Sequence, residues 1–200
     1  AEPLPDPTPI VDVREVDANG VYVHLDSVFT VMGIITVTDQ YSRPMYMQDT
    51  TAGIAIYDFG LPADTFNLGD EVRITGTLDV YNGLAELVDI SEAAWQNSGN
   101  VVDPAVLTLD SLQNGTFAEM YEGMLVRIEN VWLADPSQWT GTGSGDNVDV
   151  TDGVDTFVVR IDRDTDIFGT QAPMGILNIT GAMGQYDYSS PYFDGFQLMP

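Results

Sequence analysis

One strand phrase occurs twice in this chain, and the repetition limits what it can fold into. Residues 69–87 read Gly69-Asp70-Glu71-Val72-Arg73-Ile74-Thr75-Gly76-Thr77-Leu78-Asp79-Val80-Tyr81-Asn82-Gly83-Leu84-Ala85-Glu86-Leu87. Val72, Ile74, Leu78 and Val80 alternate with polar residues, the period-2 pattern of a half-buried strand. Gly76 sits mid-strand, where a missing side chain marks a bulge or bend. Asn82-Gly83 is a hairpin signal, because a type I′ turn requires positive φ at both central positions. Residues 174–198 repeat the phrase. Ile179-Thr180-Gly181 answers Ile74-Thr75-Gly76, Tyr186 answers Tyr81, and Asp194-Gly195 introduces an apolar return strand. The chain therefore reads as two related β units.

The strands ahead of each hairpin recur in the same way. In a first unit over residues 17–95, apolar segments at 28–37, 44–48 and 54–57 precede the hairpin, with Gly33 as a bend. In a second unit over residues 123–200, segments at 124–133, 148–150 and 157–161 precede its return. Five strands per unit, separated by evenly spaced turns, describe a small barrel or sandwich. Residues 96–122 form a connector that holds the helical signal: Asp110 as N-cap, then residues 117–121, stopped by Gly123. A glycine-rich loop over residues 135–146 has no counterpart in the first unit.

Residues 1–16 form a third region. Pro3, Pro5, Pro7 and Pro9 alternate with other residues, so the segment is expected to be extended and a poor ladder donor. It would feed Ile10, Val11 and Val13 onto a sheet edge, of this molecule or of a neighbour. Ala1-Glu2 ahead of the prolines reads as a mature N-terminus left after signal removal.

Several stretches carry a family resemblance. Val31-Met32-Gly33-Ile34-Ile35-Thr36-Val37, Tyr46-Met47-Gln48-Asp49-Thr50-Thr51-Ala52-Gly53-Ile54-Ala55-Ile56-Tyr57 and Gly69-Asp70-Glu71-Val72-Arg73-Ile74-Thr75-Gly76 resemble the OB-fold-like modules of secreted bacterial proteins. Tyr121-Glu122-Gly123-Met124-Leu125-Val126-Arg127-Ile128 resembles the start of a second copy, which lacks the Gln-Asp-Thr-Thr-Ala-Gly phrase. The resemblance implies tandem modules, an extracellular or cell-surface location, and neighbours such as nucleases, phosphatases or surface-anchoring domains. The expected fold is all-β with one or two short helices: two tandem five-stranded OB-like or sandwich-like units and an extended N-terminal segment.

Charge and composition exclude several chemistries. The net charge is −25, and all six basic residues are arginines. Without lysine there is no Schiff base and no P-loop. A strongly acidic chain is also expected to avoid nucleic acid and anionic membranes. No apolar run approaches the length of a membrane span. The absence of cysteine removes disulfides and thiolate chemistry, and His24 stands alone, so multi-histidine metal sites are excluded. No Gly-x-Ser-x-Gly elbow accompanies His24.

Two acidic groups are the metal candidates. Asp162, Asp164 and Asp166 alternate like the first half of a calcium loop. Ile167 replaces the loop glycine, Pro173 stands at the position of the bidentate glutamate, and Arg163 opposes an ion, which favours a solvated turn. Asp146, Asn147, Asp149, Asp152 and Asp155 surround the glycine-rich loop. Tyr46, Tyr57 and Tyr81, with Tyr41, are candidates for a stacking face, and Trp139 and the pair Tyr186 and Tyr188 for contact loops. The bland alternative is that alternating tyrosines pack on a sheet.

No catalytic constellation emerges. The expected function is a non-catalytic extracellular structural protein, a filament or surface-layer subunit that self-associates by strand addition through Pro3, Pro5, Pro7, Pro9, Ile10, Val11 and Val13. The alternative is an OB-like binding module for glycans or single-stranded nucleic acid, accessory to a secreted enzyme. No cofactor beyond calcium is expected.

Overall fold

The alternation of Val31, Ile35, Val72, Ile74 and Leu78 closes the first half of the chain on itself. In a computed structural model that describes residues 6–62 and 64–200, β1 (Val28–Val37) pairs antiparallel with β2 (Met45–Gln48), and β2 with β3 (Gly53–Ile56). β4 (Glu71–Tyr81) pairs antiparallel with β1 and with β5 (Leu84–Asn97), while β5 runs parallel to β3. The ring β1-β2-β3-β5-β4 is a closed barrel, so no ladder edge is left open within it. Its interior is filled by fully buried apolar side chains, among them Ile35, Met47, Ile54, Ile74, Leu78 and Leu87.

The hairpin of the repeated phrase closes this barrel. Asn82 and Gly83 take φ of 51° and 91°, as a type I′ turn demands. The β4–β5 register slips between Thr75 and Thr77. A Cβ on Gly76 would lie 2.9 Å from the backbone oxygen of Val88, so the bulge leaves no room for a side chain.

The second sheet repeats these pairings. Its strands are β6 (Ala105–Leu107), β7 (Leu125–Leu133), β8 (Gly145–Thr151), β9 (Thr156–Asp162), β10 (Leu177–Gln185) and β11 (Phe196–Met199), in the order β10-β11-β9-β8-β7-β6. β7 pairs with β8, β8 with β9, β9 runs parallel to β11, β11 returns to β10, and β10 pairs with β7. β7 to β11 are thus connected as β1 to β5 are, and the fold is all-β and OB-like. β6, which no sequence pattern marked, adds a sixth strand parallel to β7.

The N-terminal segment departs from expectation. Pro3 and Pro5 lie outside the described residues. Ile10–Val13 is not a strand but a single helical turn, α1. Asp49 Oδ2 accepts the Ile10 N–H at 2.9 Å, and Thr51 Oγ1 accepts that of Val11 at 3.2 Å. One turn places Ile10 and Val13 on the same side, and both are fully buried in the first barrel's core. Thr8 N–H donates to Thr30 O at 2.7 Å, along β1. The segment that was expected to be donated is folded against its own barrel. In the connector, Thr108 rather than Asp110 caps α2 (Leu109–Leu112), and Asn114 caps α3 (Gly115–Glu119). Among the described residues, no helix is long and apolar enough to cross a membrane.

The barrels meet through a third apolar cluster. Val37, Tyr41, Tyr46, Ala55 and Leu84 of the first pack on Ala182 and Met199 of the second. Beside it, Gln48 Oε1 accepts the Leu125 N–H at 2.8 Å. Gly53 meets Gly123 backbone to backbone: a Cβ on Gly53 would fall 2.2 Å from Gly123 C. Gly53→Ala is therefore expected to destabilise the protein by about 1–3 kcal/mol, the usual cost of overpacking. It should be read as a lower urea midpoint at unchanged slope, and an unchanged midpoint would refute the contact.

Candidate functional site

Strand parity decides which side chains leave the barrel core. Along β5, Ala85 and Leu87 face inward, while Leu84 and Glu86 face the second barrel. Where the barrels diverge, a groove of about 240 Å³ opens. Tyr57, Tyr81 and Tyr186 line it, with Arg43, Arg160 and Glu86.

The aromatic rings form two walls. Tyr57 follows β3 and meets Phe59 edge-on at 5.5 Å, and the Arg43 guanidinium lies 4.9 Å from the centre of the Phe59 ring. Tyr81 ends β4 and stands 6.3 Å from Tyr186, which in turn meets Tyr188 at 4.9 Å. The second wall is held by a bond between the two hairpins, Asp187 N–H to Asn82 O at 2.6 Å. Phe59, Tyr81 and Tyr188 are 79%, 58% and 73% exposed, so their faces are free for a ligand.

Cations gather here as well. Arg14 and Arg73 are buried, and Arg127 is paired with Glu129 at 2.7 Å. Arg43 and Arg160 line the groove. Arg160 also braces the glycine-rich loop, donating to Ser144 O at 2.6 Å and Asn147 Oδ1 at 3.2 Å. Glu86 lies at the groove floor, 6% exposed, and its carboxylate accepts no hydrogen bond from any described residue. Burial first, then repulsion from Asp79 and Glu122, pushes its pKa up to about 7.

The predicted residues are distributed unevenly. Tyr46, Tyr57 and Tyr81 all line the groove, but Tyr46 is too buried to offer a stacking surface. It is 1% exposed, with its hydroxyl 3.9 Å from Met199 Sδ, because the second barrel covers the outer face of β2. Trp139 is elsewhere: its Nε1–H donates to Thr170 O at 2.9 Å, and the ring packs on the second barrel's core. Arg43, Arg160 and Glu86 were missed. The signal for Glu86 was a lone carboxylate inside the apolar run Leu84-Ala85-Glu86-Leu87.

The acidic candidates hold backbone instead of converging. Asp162 Oδ1 accepts the Asp164 N–H at 3.0 Å, and Asp164 Oδ2 accepts Ser42 Oγ–H at 2.8 Å. Asp166 joins neither bond. Asp146 accepts Thr140 N–H at 2.9 Å and Gly141 N–H at 2.7 Å. Burial opposes its ionisation, but these bonds and that of the Thr140 hydroxyl prevail and lower its pKa. Asp149 accepts from Gln138, and Asp152 holds Val154 N–H and Asp155 N–H. Among the described residues, no group of three or more His, Asp or Glu is placed to hold a metal ion. His24 pairs with Glu15 at 3.2 Å.

A buried ionic knot sits behind the groove. Arg14 Nη2 lies 3.0 Å from Glu119 Oε1 and 3.2 Å from Glu122 Oε1. Tyr22 OH is within 3.2 Å of both carboxylates, and Glu122 Oε1 also accepts the Ala85 N–H at 3.0 Å. Burial raises both glutamates, and repulsion from Glu122 adds to the rise of Glu119, to about 8, while Arg14 works against the rise at each.

No protein-family model matches the chain. Endonuclease YhcR of Bacillus subtilis (strain 168) is 30% identical over 197 residues, a match that covers 94% of this chain and 15% of the relative. The chain thus spans 15% of the length of that relative. The tetrameric p202 HIN2 crystal structure aligns over 87% of this chain and 89% of its own, at 9% identity and a TM-score of 0.40. Two expectations are corrected by the bacterial relative. A protein similar along nearly its whole length to part of an endonuclease is not set apart from enzymes, and nucleic acid is not disfavoured as its partner. The physical reason is that net charge is a global sum, whereas the charge a ligand would meet is local, and Arg43 and Arg160 both line the groove. The filament reading finds no support in this relative or in the buried anchors Ile10 and Val13.

The ionic knot makes stability depend on pH. A carboxyl whose folded pKa lies above its unfolded value of 4.5 stabilises the fold fully below that value. The contribution is lost as pH rises towards about 8. Glu119→Gln keeps an oxygen acceptor for Arg14 and cannot ionise. Relative to this variant, the wild type should lose stability across that window, measured by urea midpoints at several pH values. A constant difference would contradict the assignment.

Proposed function

We propose that this chain is the substrate-holding part of a secreted endonuclease, an OB-like pair of β modules that grips single-stranded nucleic acid in the groove between them. The observation that carries the reading is the 30% identity to Endonuclease YhcR over 94% of the chain. The groove supplies matching chemistry. Tyr57, Tyr81 and Tyr186 offer ring faces to unstacked bases, and Arg43 and Arg160 offer charge to phosphates. A duplex hides its base faces, so the stacking walls suit a single strand. The secreted and tandem character follows the resemblance to modules of secreted bacterial proteins, and the identical strand pairing of β1–β5 and β7–β11 supports duplication.

Stacking, rather than charge, supplies the affinity. Base–aromatic stacking contributes about 1–3 kcal/mol per base. With two groove arginines as the phosphate contacts, the salt dependence of binding should be shallow, a log–log slope of about −1.4 at ~0.7 per contact. Fluorescence anisotropy with a labelled single strand tests this. Tyr81→Ala and Tyr186→Ala should each weaken binding about tenfold or more. Trp139→Ala should leave it unchanged. A strand that does not bind, or groove variants that bind like the wild type, would sink the reading.

A further inference from the structure

We propose that Glu86 reads the edge of one base and makes the groove selective for guanine. The inference rests on the single-strand reading above and deepens it. Glu86 is a largely buried carboxylate whose oxygens reach the groove, with no hydrogen bond from any described residue. Such a group costs free energy unless a ligand satisfies it. An ionised carboxylate is an acceptor only and takes two parallel donors well. Guanine alone presents two adjacent N–H donors, N1–H and N2–H, on its pairing edge. Cytosine and adenine each present one donor beside one acceptor, and thymine or uracil one N–H flanked by two carbonyls. On those three bases a lone pair would face a Glu86 oxygen.

The setting fits a single inserted base. The groove volume of about 240 Å³ equals that of about eight waters at ~30 Å³ each, which suits one planar ring system. Tyr57 and Tyr81 stand at its sides, so a base whose edge reaches Glu86 has a ring beside its face. The strand pairing fixes Glu86: it lies opposite Asp79 on β4 and Ala55 on β3. Asp79 and Glu122 repel its charge, and Arg43, Arg160 and Asp162 face it across the groove. When protonated, Glu86 becomes one donor and one acceptor, a pair that the edge of every base can match, guanine through O6 and N1–H included. Guanine preference is therefore a property of the ionised form.

The test uses labelled thymine strands that carry one central guanine, adenine, cytosine or thymine. Anisotropy is measured on the full chain well above and well below about 7, the pKa of Glu86. Above it, the guanine strand should bind about tenfold tighter than the others, the scale of one bidentate base contact. Below it, the guanine preference should disappear. Glu86→Gln presents one donor and one acceptor, which every base edge can match, so it should show no guanine preference at either pH value. Glu86→Ala should bind without preference. Equal binding of all four strands by the wild type, or retained guanine preference in Glu86→Gln, overturns the role of Glu86 and leaves the groove reading standing. If no strand binds, both fall. Thermal unfolding of each variant confirms that it is folded.

Discussion

The relation between the two barrels depends on a contact from which side chains are absent. Gly53 opens β3 and Gly123 precedes β7, and their backbones touch. Arg14 clamps this contact from above. Its Nη1 donates to Gly53 O at 3.2 Å and to Glu122 O at 2.7 Å, and its Nη2 to Glu119 O at 3.0 Å. One guanidinium thus joins the N-terminal segment, the first barrel and the connector. A buried ion pair adds little net stability over a well-packed apolar substitute, because desolvation offsets attraction. What the knot contributes is position. It leaves the barrels with one relative placement, in which Tyr81 and Tyr186 stand 6.3 Å apart and form one wall. The groove is a consequence of that fixed junction.

The strands were legible because their signals are local. Period-2 alternation, Asn82-Gly83 and the mid-strand Gly76 each act within a few residues, and each has the expected geometry. Gly181, the echo of Gly76, likewise has no room for a side chain: its Cβ would fall 2.1 Å from Met199 O. α1 and β6 were not legible for the opposite reason. Alternating prolines favour an extended chain, and only the cap from Asp49, distant in sequence, turns Ile10–Val13 into a helix. β6 is three residues long and exists only through a parallel pairing with β7.

The site was half legible, and parity explains which half. Tyrosine is a signal of residue type alone, and Tyr57 and Tyr81, at strand ends, line the groove. Tyr46 carries the same signal but sits mid-strand on β2, where all four residues are buried. Met45 and Met47 face the barrel core, and the second barrel covers the outer face. A pattern read on one unit cannot register that a second unit will occlude it. Arg43, Arg160 and Glu86 come from separate strands and loops, so their convergence has no trace in sequence order.

The acidity that seemed to exclude nucleic acid acquires a different meaning around this groove. A net charge of −25 repels a polyanion from most of the surface and suppresses non-specific adhesion. The arginines that could have offset this are largely withdrawn, since Arg14 and Arg73 are buried and Arg127 is paired with Glu129. A strand then gains net attraction only where ring faces and the remaining arginines coincide. Under the proposed function, stacking is the dominant favourable term and charge acts against every other mode of contact. Under that proposal such a surface would reject duplex, whose phosphates face outward and whose bases are hidden, more strongly than a single strand that can insert a base. Selectivity for unpaired bases would thus come from the same carboxylates that make the chain look hostile to nucleic acid.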